Sequence, residues 1–185
     1  MSLRHLILAV LLREPSSGYQ VTQEFDLVAG FFWKATHQQV YRELAALTKI
    51  GHVEFRTVEQ TGRPDKKVYS ITPAGIDEFN AWFATPTQPP RTHDPLMIKF
   101  FAGGERIDEL SRQLRLSIAA HEKALAVLRK VESEYYPEPP DQMPSWKLCI
   151  YLSLQFGIER EVAWLNWADR SAKMLEASRA DEHSA

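Results

Sequence analysis

The chain has 185 residues, 44% of them hydrophobic and 25% charged, with a formal net charge of −2. That length builds one compact domain or two small ones with a real core, and the near-neutral balance excludes bulk electrostatics as a signal of any polyanionic partner. The lone cysteine, Cys149, has no partner for an internal disulfide; it fits a reducing, cytoplasmic location and reads as a small core residue.

Residues 1–12 are apolar enough to resemble a secretion signal. The run is short, has no small-residue cleavage site and is broken by Arg13-Glu14-Pro15, so it reads as a buried first helix. Leu3, Leu6, Ile7, Val10 and Leu11 make its apolar face. No apolar stretch is long enough to span a bilayer, and no membrane partner is expected.

Pro15-Ser16-Ser17-Gly18 is a turn with two candidate N-cap serines, and residues 19–28 read as a second helix with Val21, Phe25 and Val28 inward. Thr36 and Gln39 have the spacing of a capping box. They open a third helix whose inward stripe is Val40, Leu44, Leu47 and Ile50, and Gly51 stops it. The apolar period then drops from 3.6 to 2. Val53 and Phe55 alternate with His52, Glu54 and Arg56, Tyr69 and Ile71 alternate with Val68 and Ser70, and the turn-rich residues 60–66 between them predict a hairpin with a projecting tip. Thr72-Pro73 caps a further helix carrying Ile76, Phe79, Trp82 and Phe83.

Four prolines between Thr85 and Pro95 mark a connection. Beyond it lie a short segment ending at Gly103-Gly104 and two long helices, over about residues 105–135 and 145–177. The first carries Ile107, Leu110, Leu114, His121, Leu128 and Val131 on one stripe. The second carries Leu148, Tyr151, Leu154, Ile158, Val162, Leu165 and Leu175. The expected fold is mainly α with a small β-hairpin: a winged helix-turn-helix domain over residues 1–84, a Pro-rich connection over 85–95, and an α-helical dimerisation domain over 96–180.

This order has a physical rationale as a DNA reader. Burying Val40, Leu44 and Leu47 leaves His37, Gln38, Gln39, Tyr41 and Arg42 outside, and an α-helix fits the major groove, where Gln pairs with adenine and Arg with guanine. If Thr36 occupies Gln39 in the capping box, Gln38 is the better base reader. The helix over about 36–50 would lie in the major groove. The wing over about 60–67 would bring Arg63, Lys66 and Lys67 to the backbone or minor groove. Tyr19 would donate its hydroxyl to a phosphate at the start of the second helix. Locally, residues 34–67 hold seven basic and four acidic side chains, a modest basic patch.

Gly18-Tyr19-Gln20-Val21, Val40-Tyr41-Arg42-Glu43-Leu44, Gly51-His52-Val53 and the run from Gly62-Arg63 to Thr72-Pro73-Ala74-Gly75 together resemble the signature of PadR-type regulators. Asp94 to Phe101 and the two long helices resemble the longer subfamily with virulence-activator-like C-terminal regions. The resemblance implies a dimeric transcriptional regulator, a repressor or an activator, that binds a double-stranded DNA operator and is in some members released by a small aromatic or phenolic effector. Many relatives have a small residue and a glycine before the recognition-helix tyrosine and a proline after it. Here the run is Thr36-His37-Gln38-Gln39-Val40-Tyr41-Arg42, so no operator sequence carries over.

The apolar stripes of the two C-terminal helices exceed what one helix pair hides, and a homodimer would cover them. Trp82, His121, Trp146, Tyr151, Trp164 and Trp167 have two readings: core or dimer interface, or an aromatic-lined effector pocket. An enzyme is not expected, since the sequence has no phosphate-cradling glycine loop, nucleophile elbow or histidine pair at metal spacing; no cofactor and no metal are expected either. The competing reading is a winged-helix protein-interaction module without direct DNA binding.

Overall fold

The computed structural model describes residues 3–25, 35–59, 62, 65–88 and 94–182. The chain divides into two compact units, residues 1–89 and 90–185. Val28 and Arg63 lie outside the described residues.

In the first unit, α1 (Leu3–Arg13) leads into a two-residue strand, β1 (Ser16–Ser17), then α2 (Gly18–Glu24) and α3 (His37–Lys49). A hairpin of β2 (Val53–Val58) and β3 (Lys66–Ile71) follows, then α4 (Pro73–Phe83). The sheet is antiparallel in the order β1-β3-β2, with Ser17 opposite Val68 and Phe55 opposite Tyr69. The third strand is an addition to the expected hairpin. It clips the start of α2 to the wing.

The core gathers Ile7, Leu8 and Leu11 of α1, Val21 of α2, and Val40, Leu44 and Leu47 of α3 over Val53 and Tyr69. Leu8, off the expected face, is fully buried, because α1 is packed from several sides by α2, α3, α4 and β3. One residue expected to face inward, Ile50, faces solvent instead and is 49% exposed. Ile50 is turned out because α3 ends there in a Schellman turn. Gly51, at φ +77°, donates its N–H to the Thr48 carbonyl, and His52 donates to that of Leu47. The start of α4 is fastened to that turn: the Thr72 hydroxyl donates to Gly51 O (2.7 Å) and its N–H to His52 O (3.1 Å). Gly75 has no room for a side chain there, since a Cβ would lie 2.1 Å from the His52 carbonyl oxygen.

The second unit holds α5 (Pro95–Phe101), α6 (Ile107–Tyr135), a short 3₁₀ turn (Pro140–Gln142) and α7 (Ser145–Glu182). The α6 and α7 helices pack as an antiparallel pair. Leu110, Leu114 and Leu128 meet a stripe of α7 that includes Leu154, Ile158 and Ala168. Cys149 is exposed, contrary to the core position expected of it, because it lies on the side of α7 turned away from α6.

Candidate nucleic-acid interface

The structure exposes the expected side chains of α3. Val40, Leu44 and Leu47 are 0% exposed, which fixes the helix's roll. At 3.6 residues per turn the opposite side then presents Gln38 and Arg42 and continues through Ala45 and Lys49, with Tyr41 on its flank; His37 lies on the inward side of the turn and is exposed because it is the first residue of the helix. Ala45 and Lys49 were not anticipated. Extending the inward stripe's period to the C-terminal end would have found them.

The N-terminus of α3 carries the expected capping box. The Gln39 N–H donates to Thr36 Oγ1 (3.2 Å), and the Thr36 N–H donates to Gln39 Oε1 (2.8 Å). The carbonyl of the Gln39 side chain is therefore engaged, whereas Gln38 has no partner among the described residues. Arg42 likewise has no carboxylate beside it among the described residues. The acid next along the helix, Glu43, is drawn off by Arg4 of α1 (3.3 Å). A guanidinium held at a surface without a counter-ion is available for an external acceptor.

Tyr41 lies directly over the backbone of Gly18, whose added Cβ would sit 2.5 Å from Tyr41 Cε1 and 3.1 Å from its hydroxyl. Gly18 thus has its smallness explained by close approach of α2 and α3. Tyr41 is 46% and Tyr19 57% exposed. The Tyr19 hydroxyl accepts from Gln23 Nε2 (3.2 Å), which leaves its own proton free to donate outward. Ser17 and Gln20 form a second capping box at the start of α2, which the Ser-x-x-Gln spacing announces. Burial raises the Tyr69 phenol above its ordinary range, with a smaller contribution from nearby Tyr41.

On the wing, Lys66 is opposite Val58 and Lys67 opposite Thr57, so the two ammonium groups leave the hairpin on opposite faces. Neither has a carboxylate partner among the described residues. Lys67 Nζ sits 4.2 Å above the ring of Phe55, which is 41% exposed.

Of the six residues offered as an effector pocket or interface, His121, Trp164 and Trp167 come together within the second unit. Trp82 belongs to the first unit, where it stacks on His5 (4.4 Å, 7°). In the second unit, His121 stacks on Trp164 (3.6 Å, 16°), and Trp164 meets Trp167, which meets Phe100. Tyr151 packs on Tyr136 instead, more than three helical turns from Trp164 along α7, and Trp146 is 58% exposed. The nearly buried Glu161 receives His121 Nδ1 and Arg160. Burial alone would push its carboxyl up, but these two hydrogen bonds outweigh it and hold the group below the usual carboxylate range. A cavity of about 230 Å³ between α5 and α6, lined by Lys99, Arg106, Glu109 and Leu110 among others, includes none of the six. Among the described residues, no group of three or more metal-binding side chains converges, and no helix is long and apolar enough to cross a membrane.

With this surface in view, residues 7–81 match the model of the transcriptional regulator PadR-like family, and residues 92–176 match that of the virulence activator alpha C-terminal region. A probable transcriptional regulator of Mycobacterium tuberculosis is 35% identical over 97% of this chain and 100% of its own length. The negative transcriptional regulator PadR of Bacillus subtilis is 31% identical over 94% of this chain and 97% of its own. Its crystal structure with operator DNA superposes with a TM-score of 0.83 at 28% identity, covering 94% of this chain and 98% of that one. The same protein with p-coumaric acid gives 0.80 over the same shares. The Vibrio cholerae virulence activator AphA gives 0.81 at 32% identity, covering 96% of this chain and 99% of that one. These relatives are regulators rather than enzymes. The fold, the two matched regions and these full-length relatives agree: the chain is a member of the PadR-like family of transcriptional regulators.

Proposed function

We propose that the chain is a cytoplasmic, sequence-specific DNA-binding regulator, acting as a repressor, in which α3 enters the major groove of a double-stranded operator. One observation carries the reading. The side of α3 opposite a fully buried stripe presents Gln38 and Arg42 with no partner for either among the described residues. Gln38 and Arg42 read base edges, while His37, Tyr41, Tyr19, Lys66 and Lys67 contact the backbone. Gln39 serves the cap and contributes its remaining amide N–H groups. The Bacillus subtilis relative bound to operator DNA supports this mode.

The working unit is a homodimer. The far side of α7 from its α6-facing stripe carries Cys149, Leu152, Phe156, Ala163 and Met174, interrupted by Arg170. Leu152, Phe156 and Met174 are 56%, 65% and 73% exposed. A long helix that is apolar on two opposite sides needs a second surface to cover it, and a second copy of the same chain provides one under twofold symmetry. That symmetry sets two recognition helices about 34 Å apart, one turn of DNA. A small aromatic acid as effector follows from the likeness to the relative crystallised with p-coumaric acid.

The test is capture of source-genome fragments, followed by titration of the bound fragments at several salt concentrations. Specific binding that weakens steeply with salt is expected. Uniformly weak binding to all fragments would favour the protein-interaction reading. Adding a hydroxycinnamic acid to the complex then tests the effector. Sedimentation of Phe156→Glu against the unaltered chain tests the dimer, with dissociation expected.

A further inference from the structure

The face of the hairpin that carries Lys67 holds a solvent-exposed aromatic that the core does not account for. Val53 and Tyr69, on the same face nearer the recognition helix, are 1% and 7% exposed, whereas Phe55 is 41% exposed. Phe55 pairs across the strands with Tyr69, their rings 5.7 Å apart, so Tyr69 anchors its inner edge in the core. Its outer face is occupied by Lys67 Nζ, 4.2 Å from the ring centroid and one cross-strand position along. No acidic side chain among the described residues competes for that ammonium. A free lysine samples many rotamers, and a ring beneath it limits them without neutralising the charge or blocking its outward N–H donors. A carboxylate in the same place would hold the lysine but cancel its charge.

We infer that Phe55 is a positioning residue for DNA binding: its ring pre-sets the Lys67 ammonium in the place from which it meets a backbone phosphate. The inference rests on the reading of the wing as a phosphate-contacting element. Phe55 itself need not touch DNA, and its effect runs entirely through Lys67.

The test is a double-mutant cycle with Phe55→Leu and Lys67→Gln, using a mixed-sequence duplex about three helical turns long, since phosphate contacts do not depend on sequence. Phe55→Leu is expected to weaken binding about two- to fivefold, the range of an exposed cation–π contact. Phe55→Tyr, which keeps the π face, is expected to bind like the unaltered chain. In the Lys67→Gln background, Phe55→Leu is expected to cost nothing more. An equal loss in both backgrounds would overturn the inference, as would no loss in either. If Lys67→Gln alone left affinity and its salt slope unchanged, the phosphate contact would fall and the inference with it. The Lys67 ε-methylene proton shifts of the free protein give a DNA-independent readout. They should lie upfield in the unaltered chain and in the Phe55→Tyr variant, and relax to random-coil values in folded Phe55→Leu. Unshifted protons in the unaltered chain would also overturn the inference.

Discussion

Replacing Gly18 by alanine separates reading from folding. The new Cβ would stand 2.5 Å from Tyr41 Cε1 and 2.8 Å from its Cζ, against an ordinary contact of 3.4–4 Å, so the ring must move by roughly 1 Å. The obstructing atoms are the far end of a side chain that is 46% exposed, and the ring has solvent to swing into. An off-rotamer adjustment of that kind costs about 0.5–1.5 kcal/mol. Gly→Ala at a helical position with compatible backbone returns about 0.4–1 kcal/mol through the unfolded state. Stability should therefore stay within about 1 kcal/mol of the unaltered chain. On DNA the displaced phenol loses its hydrogen bond, worth about 0.5–1.5 kcal/mol, or roughly two- to tenfold in affinity. Urea denaturation and fluorescence anisotropy on a captured fragment measure the two quantities. If Tyr41→Ala weakened binding while Gly18→Ala bound normally, the position of the ring would be immaterial and the reasoning refuted.

Gly75→Ala should do the reverse. Its Cβ meets the backbone carbonyl of His52 at 2.1 Å, which cannot swing away, and a stability loss of about 2–3 kcal/mol is expected in urea. Arg42→Ala and Gln38→Ala should each cost about 1–3 kcal/mol on a specific fragment, measured against a fragment of unrelated sequence. Lys66→Ala should weaken both fragments alike and lower the salt slope by about 1. The Glu161 carboxyl is held below its ordinary 4.5, so its contribution is fully present above that value and fades as pH falls through the folded pKa. The stability difference between the unaltered chain and Glu161→Gln should accordingly shrink as the pH falls through the folded pKa.

The α3 helix was legible because its signals are local. Thr36 and Gln39 cap it, Val40, Leu44 and Leu47 set its roll, and Gly51 ends it, so its outward residues follow from arithmetic. The period change at Val53 exposed the hairpin in the same way. Less local features did not show. Ser16–Ser17 is too short a strand to have an alternation, and only its pairing with Val68 and Tyr69 makes it one. Ile50 keeps the apolar spacing of its helix but belongs to the turn that reverses the chain. The two sides of α7 are both apolar, which blurs any single stripe and hid the orientation of Cys149. His121 was visible as an odd residue on an apolar face. Its partner Glu161, forty positions away, was not, because no local pattern links them. Phe55 fitted the strand alternation so well that its exposure was concealed.

The junction at Gly51–Thr72–Gly75 has a mechanical consequence. Thr72 hydrogen-bonds to the backbone of the turn that closes α3, and Gly75 seats the first turn of α4 flush against His52. The α3 and α4 helices therefore share one bearing. A displacement of α4 has a short hydrogen-bonded route to the C-terminal end of α3, beside the route through Phe79 and α1 in the core. If α3 reads DNA as proposed, loosening that joint is a way to weaken binding without altering any of the proposed contact side chains.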